Sequence, residues 1–240
     1  MKVAISVVSI GDRPWFPLAL KWMTAYAKRH GFDLVVRQTA TGPWAGGVSQ
    51  SVQSTGRLEK LAAGKLLDLY DKVIVLDDTC FVAPSCPSLV DLVPENAIGC
   101  VLEKYSPPPD LLAKYLRYHQ RHYRLPAPLP VASFFNTGVL VLSRRHKDLF
   151  AVANADIMAA AEDAWYGDQG LIAKRAFELQ IDLADLGVDF NFVGSMIHRA
   201  GGPDFAPTST RIFHLTSFLT VEQRVQHSET LDRIFSSMSR

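Results

Sequence analysis

Hydrophobic positions along the chain follow two different periods. Short apolar runs of strand length lie at Val3–Val8, Phe32–Val36, Val73–Leu76 and Ala97–Leu102, separated by amphipathic stretches of helical period. Apolar runs rich in β-branched residues are typical of strands buried on both faces of a parallel sheet. A helix of crossover length between the first two strands implies a parallel pair with a right-handed connection. The pattern predicts an α/β fold, with a Rossmann-like, mostly parallel central sheet flanked by helices.

The helical segments carry their own boundary signals. Pro14 is expected to open the first helix and Gly31 to end it. Four more helices are predicted at residues 57–70, 147–161, 170–177 and 220–238, and short strands at 139–143, 181–183 and 211–215. Residues 41–56 follow neither period, and a loop of this length in a compact domain is usually functional or disordered.

Composition narrows the functional classes. The formal net charge is +1 without a block of basic residues, so a nucleic-acid-binding surface is not expected. The apolar start is too short for a signal peptide, and no apolar run is long enough to span a bilayer. Three cysteines in buried-looking segments indicate reduced packing residues in a cytoplasmic protein. We expect one domain over residues 1–240, with the proline-rich and aromatic segment 103–132 as a specificity insertion.

Two adjacent acids, Asp77 and Asp78, directly follow the apolar run Val73–Leu76, and apolar residues resume at Cys80. Neighbouring like charges repel each other and lose hydration when they are covered, so structure alone rarely explains them. Ligands of open α/β sheets bind in the crevice at the carboxyl ends of the strands. The pair therefore suits a divalent cation and, through it, a phosphate. The alternative is a solvated Asp pair in a turn.

Further polar residues are candidates for the same crevice. Ser9 lies in the polar loop after the first strand, and Arg57 and Lys60 lie on the helix that follows the long loop. Both cations are positioned to meet a phosphate, although surface cations need no such role. Trp44 in the loop could stack on a planar ligand or fold back onto the core. Asp168 is a candidate for the same crevice, and the alternative interpretation is that it only caps the N-terminus of a helix.

Four segments, in order, resemble motifs of one enzyme family. Residues 70–82 are similar to "YDRVLYLDADTLV", with its DxD metal motif, and Phe135–Val139 is similar to "FNSGV". Gly167–Ile172 is close to "DQGLLN", and Ile212–Leu215 is similar to "IIHFTG". The chain thus resembles the family 8 glycosyltransferases, the glycogenin and lipopolysaccharide galactosyltransferase group, which have the GT-A fold.

The resemblance implies a site and a reaction. It implies Mn²⁺ (or Mg²⁺) on Asp77, Asp78 and His214, and a nucleotide-sugar donor, UDP-linked, held by Ser9, Lys60, Asp77, Asp78 and Thr79. Asp168, Gln169 and Asn136 would lie beside the anomeric carbon, and transfer would retain its configuration. The acceptor would be a glycan, a lipid-linked glycan or a protein. A metal ion that neutralises a diphosphate makes it a better leaving group, which fits these residue types.

The chain also departs from the family pattern. Thr79 occupies the position of the second DxD acid, and Ser217 and Thr220 occupy those of a glycine and a diphosphate-clamping lysine. Arg57, Lys60 or Arg211 could replace that lysine. A sugar-nucleotide-binding protein without catalysis is therefore the alternative hypothesis. A nucleotidyltransferase or Rossmann oxidoreductase is disfavoured, because no glycine-rich phosphate loop follows the first strand.

Overall fold

The computed structural model describes residues 1–42, 52–163, 166–216 and 219–239. Trp44 and Ser217 lie outside these residues. The strands of the described chain are β1 Val3–Val8, β2 Asp33–Arg37, β3 Lys72–Asp77, β4 Cys80–Val82, β5 Ala97–Leu102, β6 Phe135–Ser143, β7 Asp182–Asp185, β8 Phe192–Val193 and β9 Ile212–His214. The helices are α1 Phe16–His30, α2 Val52–Glu59, α3 Ala63–Leu66, α4 Pro109–His122, α5 Asn154–Glu162, α6 Gly167–Glu178, α7 Gly194–Ala200 and α8 Val221–Met238.

The central sheet has six strands in the order β2-β1-β3-β6-β5-β7. β1 pairs in parallel with β2 and β3, and β5 pairs in parallel with β7, whereas β6 runs antiparallel to both of its neighbours. The expected mostly parallel α/β sheet is confirmed. Val8 at the end of β1 lies opposite Asp77 at the end of β3, so both strands finish at the same edge.

Both faces of the sheet are covered, which explains the uninterrupted apolar runs of its strands. Alternate residues of a strand point to opposite faces. Ile74 and Leu76 of β3 pack on the face covered by α1 and α8, while Val73 and Val75 pack on the opposite face with residues of α6. Trp22 of α1 meets Phe235 of α8 edge to face, with ring centroids 5.2 Å apart.

A second, three-stranded sheet has the order β4-β9-β8. The chain leaves the central sheet at Asp77 and enters the small sheet at Cys80, so the two apolar runs on either side of the acids belong to different sheets. In the small sheet Cys80 lies opposite His214, which in turn lies opposite Val193. This pairing brings His214 to the end of β3.

Several predicted helix boundaries are wrong. α1 begins at Phe16 rather than Pro14, with a proline in its first turn, and ends at Gly31, whose φ of 69° is left-handed. The helix predicted at 57–70 begins at Val52, tightens to a 3₁₀ turn at Lys60–Ala62, and ends at Leu66. The helix predicted at 147–161 is a capped 3₁₀ segment, Arg144–Phe150, followed by α5.

Tertiary packing explains the change at 147–161. Phe150 ends the 3₁₀ segment and packs so closely against Gly64 that a Cβ on Gly64 would lie 2.6 Å from it, and the chain is extended at Ala153 before α5. β8 and α7 carry no clear periodicity and were not predicted. Cys80, Cys86 and Cys100 are buried and free, as expected. No helix among the described residues is long and apolar enough to cross a membrane.

Candidate active site

Lys60 is the central charge of the site. Its side chain is nearly buried, with 8% of the residue exposed, and its Nζ lies 2.6 Å from Asp77 Oδ1 and 2.8 Å from Asp168 Oδ2. Burial alone lowers the pKa of Lys60, but Asp168 and Asp77 outweigh it, so the pKa is raised above its ordinary value. Lys60 therefore remains an ammonium that joins the end of β3 to the first turn of α6.

Asp77 also meets His214, as the resemblance implies. His214 Nε2 lies 3.3 Å from Asp77 Oδ2, and His214 Nδ1 lies 2.8 Å from Asn191 Oδ1. Because this amide oxygen can only accept, Nδ1 carries a proton. Burial would raise the pKa of Asp77, but Lys60 and His214 together hold it below its ordinary value.

Gly138 provides the space for the His214 ring. A Cβ at this position would lie 2.1 Å from His214 Cε1 and 2.5 Å from Nδ1, so no larger residue fits while the ring stays in place. The backbone of Gly138 is fixed by two side chains: its N–H donates to Asn136 Oδ1 at 2.8 Å, and its carbonyl accepts from Cys80 Sγ at 3.3 Å. The Phe135–Val139 motif therefore needs glycine at position 138, because a side chain there would overlap the His214 ring.

Asp168 does not cap α6. The helix begins at Gly167, its N-cap residue is Tyr166, and Asp168 lies inside the first turn. Asp168 Oδ2 accepts a hydrogen bond from Thr137 Oγ1 at 2.7 Å in addition to the Lys60 contact, and the residue is 4% exposed. The N-cap alternative is therefore wrong, and Asp168 belongs to the buried charge network.

Three further polar side chains form a triangle beside this network. Asn136 Nδ2 and Gln169 Nε2 each donate to Glu103 Oε1 at 3.0 Å, and Asn136 Nδ2 also lies 3.3 Å from Gln169 Oε1. Burial raises the pKa of Glu103, and the two amides oppose that rise. Asn136 and Gln169 were expected together. Glu103 was not singled out, because it directly follows an apolar strand and belongs to no motif.

Asp78 lies apart from the metal ligands with which it was grouped. Its Oδ2 lies 3.2 Å from Arg13 Nε, and it bonds to the side chain of Ser9. Asp78 follows the last residue of β3, and its carboxylate pairs with Arg13, whereas that of Asp77 pairs with Lys60 and His214. Burial raises the pKa of Asp78 to about 6 against the attraction of Arg13, and the charge of Asp77 adds to the rise.

The residues only partly fit the expected metal ion. Asp77 and His214 converge, but Asp78 faces Arg13, and Thr79 can offer only a neutral hydroxyl. In the described ranges, no three His, Cys, Asp or Glu side chains converge in a way that could hold a metal. Two protein ligands fall short of the set that the resemblance implies, so we assign no metal ion to this site.

Two cavities open on either side of Lys60 and share Arg57, Lys60, Asp77 and Thr216 in their walls. The acidic cavity, of about 110 Å³, is further lined by Glu103, Asn136, Asp168, Gln169 and His214, among others. The basic cavity, of about 130 Å³, is further lined by Arg13, Trp15, Asp78, Thr79 and Arg224, among others. Ser9 supports this wall through Asp78 but does not line it.

The cations that line the basic cavity differ partly from those expected. Arg57 and Lys60 are present, but Arg211 donates to Ser85 Oγ and to the Thr208 carbonyl and lines neither cavity. Arg224 was not foreseen. It lies one turn after Thr220, the N-cap of α8, and its backbone N–H donates to the Thr220 carbonyl. The sequence did contain one indication of this role: Arg224 lies one helical turn after Thr220, the position at which the family has its lysine.

Comparison with solved structures identifies the fold. A glycosyltransferase involved in glycosylation of the major capsid of PBCV-1 matches 96% of this chain and 100% of its own, with 11% identity and a TM-score of 0.61. The galactosyltransferase LgtC, in complex with donor and acceptor sugar analogues, matches 98% of this chain and 95% of its own, with 15% identity and a TM-score of 0.56. The chain has the fold of these glycosyltransferases.

The bifunctional glycosyltransferase WbbM shares this fold as well. It matches 98% of this chain over 51% of its own length, with 13% identity and a TM-score of 0.56. No protein-family model and no curated protein matches the sequence. The GT-A fold expected from the four motifs is thus confirmed, at a sequence identity too low to carry over residue roles.

Proposed function

We propose that the protein transfers a sugar from a nucleoside diphosphate sugar to an acceptor hydroxyl. The observation that carries this proposal is the convergence of Lys60, Asp77 and Asp168 with the Glu103–Asn136–Gln169 triangle at the carboxyl edge of the sheet. Ligands of open α/β sheets bind at this edge. The shared fold supports a sugar donor and a sugar acceptor, since LgtC was solved with analogues of both.

The two cavities suit the two parts of such a donor. The acidic cavity offers carboxylates and amides that can accept and donate hydrogen bonds to sugar hydroxyls. Transfer breaks the bond between the anomeric carbon and the diphosphate, whose oxygen keeps the electron pair. The acceptor oxygen forms the new bond and its proton passes to the released diphosphate. The Lys60 ammonium lies where both cavities meet and is placed to stabilise the charge that develops on the departing oxygen.

The resemblance supplies the finer parts of the proposal. UDP is the expected nucleotide, and the transferred sugar is expected to retain its anomeric configuration. A resident Mn²⁺ or Mg²⁺ is not carried over, because the ligand set is incomplete among the described residues. Asp168 and the triangle are assigned to the sugar side, where Asp168 fixes Lys60 and Asn136 and Gln169 contact the sugar.

The test is release of nucleoside diphosphate from a panel of UDP-, GDP- and ADP-sugars, with and without added Mn²⁺. Asp168→Asn should lower kcat at least about a hundredfold and change donor affinity by less than about fivefold, since it weakens the charge that positions Lys60 in the transition state. Asp68→Asn is the control, because Asp68 is an exposed carboxylate that pairs with Lys147 and lines neither cavity.

The outcomes separate the two hypotheses. Turnover with one donor class, abolished in Asp168→Asn, supports the transferase. Donor binding without hydrolysis or transfer would favour the sugar-nucleotide-binding protein, to which Thr79 and Thr220 point. Equal losses of affinity and turnover in Asp168→Asn would reduce Asp168 to a structural residue. Absence of binding by every nucleotide tested would refute the proposal.

A further inference from the structure

The basic cavity has an unusual charge balance for a metal-dependent nucleotide site. Four cationic side chains, Arg13, Arg57, Lys60 and Arg224, line it against the two carboxylates of Asp77 and Asp78. Lys60 is paired with Asp77 and Asp168, and Arg13 with Asp78. No ion pair joins Arg57 or Arg224 to a carboxylate of the described residues, so the surplus positive charge belongs to these two arginines.

Trp15 holds two of these cations close together. The guanidinium carbons of Arg13 and Arg224 both lie over the indole ring, at 5.6 Å and 5.2 Å from its centroid. Trp15 is 2% exposed, and its Nε1 has no hydrogen-bond partner among the described residues, as is also true of Nε of Arg224. Buried donors without partners are costly unless a ligand satisfies them.

The repulsion between these cations points to an anionic ligand. Burial and the neighbouring Arg13 lower the pKa of Arg224, although a guanidinium remains charged. Two like charges near one ring, opposed by the single carboxylate of Asp78, form a site that a multivalent anion would stabilise. Arginine suits phosphate in particular, because its planar donors match two phosphate oxygens at once.

We propose that the basic cavity binds the diphosphate group of the donor through Arg13, Arg57, Lys60 and Arg224, and that this binding requires no divalent cation. The inference rests on the proposed function. It assigns to protein side chains the neutralising charge that a metal ion would otherwise supply, and it assigns to Arg224 of α8 the role of the clamp for which Thr220 is unsuited. Lys60, shared by both cavities, then lies at the bond that breaks.

The experiment measures equilibrium binding of pyrophosphate and of UDP, GDP and ADP by calorimetry in buffer containing EDTA, and again with Mn²⁺ or Mg²⁺. The variants are Arg57→Gln, Arg224→Gln and, as the matched control, Arg211→Gln, whose side chain lines neither cavity. We expect pyrophosphate and at least one nucleoside diphosphate to bind in EDTA. Arg57→Gln and Arg224→Gln should each weaken binding at least tenfold, and Arg211→Gln less than twofold. Thermal melts verify that each variant is folded.

Each remaining outcome has a stated consequence. Binding of nucleoside diphosphates only in the presence of a metal would overturn this inference and leave the proposed function intact. Equal binding by all three variants would overturn the assignment to the basic cavity. Binding of pyrophosphate but of no nucleoside diphosphate would keep the anion site and refute the proposed function. Failure of every ligand in both buffers would refute both.

Discussion

The acidic and basic cavities are close in volume, about 110 and 130 Å³, and share four wall residues, yet they carry opposite charge. Lys60 and Arg57 in the acidic cavity face three carboxylates, whereas the basic cavity has twice as many cations as carboxylates. The two cavities therefore differ in charge rather than in size. Under the proposed function, Lys60 would serve a neutral sugar on one side and a diphosphate on the other.

Substitution of Lys60, in the wall that the two cavities share, should have the largest effect. Lys60→Met should lower the free energy of unfolding by about 3–5 kcal/mol, because it removes the ammonium from two carboxylates and leaves Asp168 without a cation and Asp77 with His214 alone. Pyrophosphate binding and turnover should both fall. Denaturant unfolding measures the stability, with Lys65→Met as the control, since Lys65 is exposed and should change stability by less than about 0.5 kcal/mol. Equal stabilities for the two variants would show that the ion pairs contribute nothing.

A pair of glycine substitutions sharpens the difference between the cavities. Gly138→Ala should cost about 1–3 kcal/mol, since its Cβ would displace His214, which lines the acidic cavity. Turnover should fall while pyrophosphate binding remains. Gly56→Ala, in the wall of the basic cavity, meets nothing within 4 Å among the described residues and should stabilise α2 by up to about 1 kcal/mol. Unfolding curves and pyrophosphate titrations test both, and a Gly138→Ala protein of unchanged activity would contradict the steric role.

The smallest effect concerns the support behind the acidic cavity. The buried ring of His119 stacks on Tyr123, and a Cβ on Gly170 would lie 2.6 Å from it. Burial lowers the pKa of His119 below its ordinary 6.5, against the opposing influence of Asp163. The unfolded chain therefore binds a proton that the folded chain does not, so stability should fall as the pH drops below about 6.5, by at most about 1.4 kcal/mol per pH unit.

This pH dependence is measured by urea unfolding between pH 7.5 and 5.5, for the wild type and for His119→Phe. His146 and His227 also have lowered pKa values, so His119→Phe retains a pH dependence that comes from these groups. The difference between the two slopes isolates His119. Identical slopes would mean that His119 titrates normally in the folded protein.

Strand positions and the family motifs were the most predictable parts of the molecule. β1 and β5 have the predicted bounds, because a continuous apolar run marks where a buried strand begins and ends. The motifs correctly indicated that Asp77 lies beside His214 and that Asn136 lies beside Gln169. Whether these residues act as expected stays a prediction, as does the single domain with its specificity insertion at 103–132.

The missed residues share a physical property. Glu103, Arg13 and Arg224 are isolated charged residues, and each matters only because of the residues that the fold places beside it. The hydrophobic periodicity of the local sequence does not predict those neighbours. The assignment of Asp78 failed for the same reason, because its partner Arg13 lies in the distant loop before α1. The 3₁₀ turn that carries Lys60 was unpredictable for the same reason as the charges, because tertiary packing interrupts an otherwise helical pattern.

The junction between the two sheets has a consequence for how the protein folds. Lys60 and Asp168 are separated by 108 residues, and His214 reaches Asp77 only after β9 has paired with β4. Closing loops of this length costs entropy before any contact compensates for it, so such pairings form late and slowly. The central sheet also depends on distant pairings, since Val3 of β1 pairs with Lys72 of β3 and Ala97 of β5 pairs with Asp182 of β7. The charge network additionally requires the chain to be synthesised through residue 214. Binding competence should therefore appear no earlier than the pairing of β9 with β4.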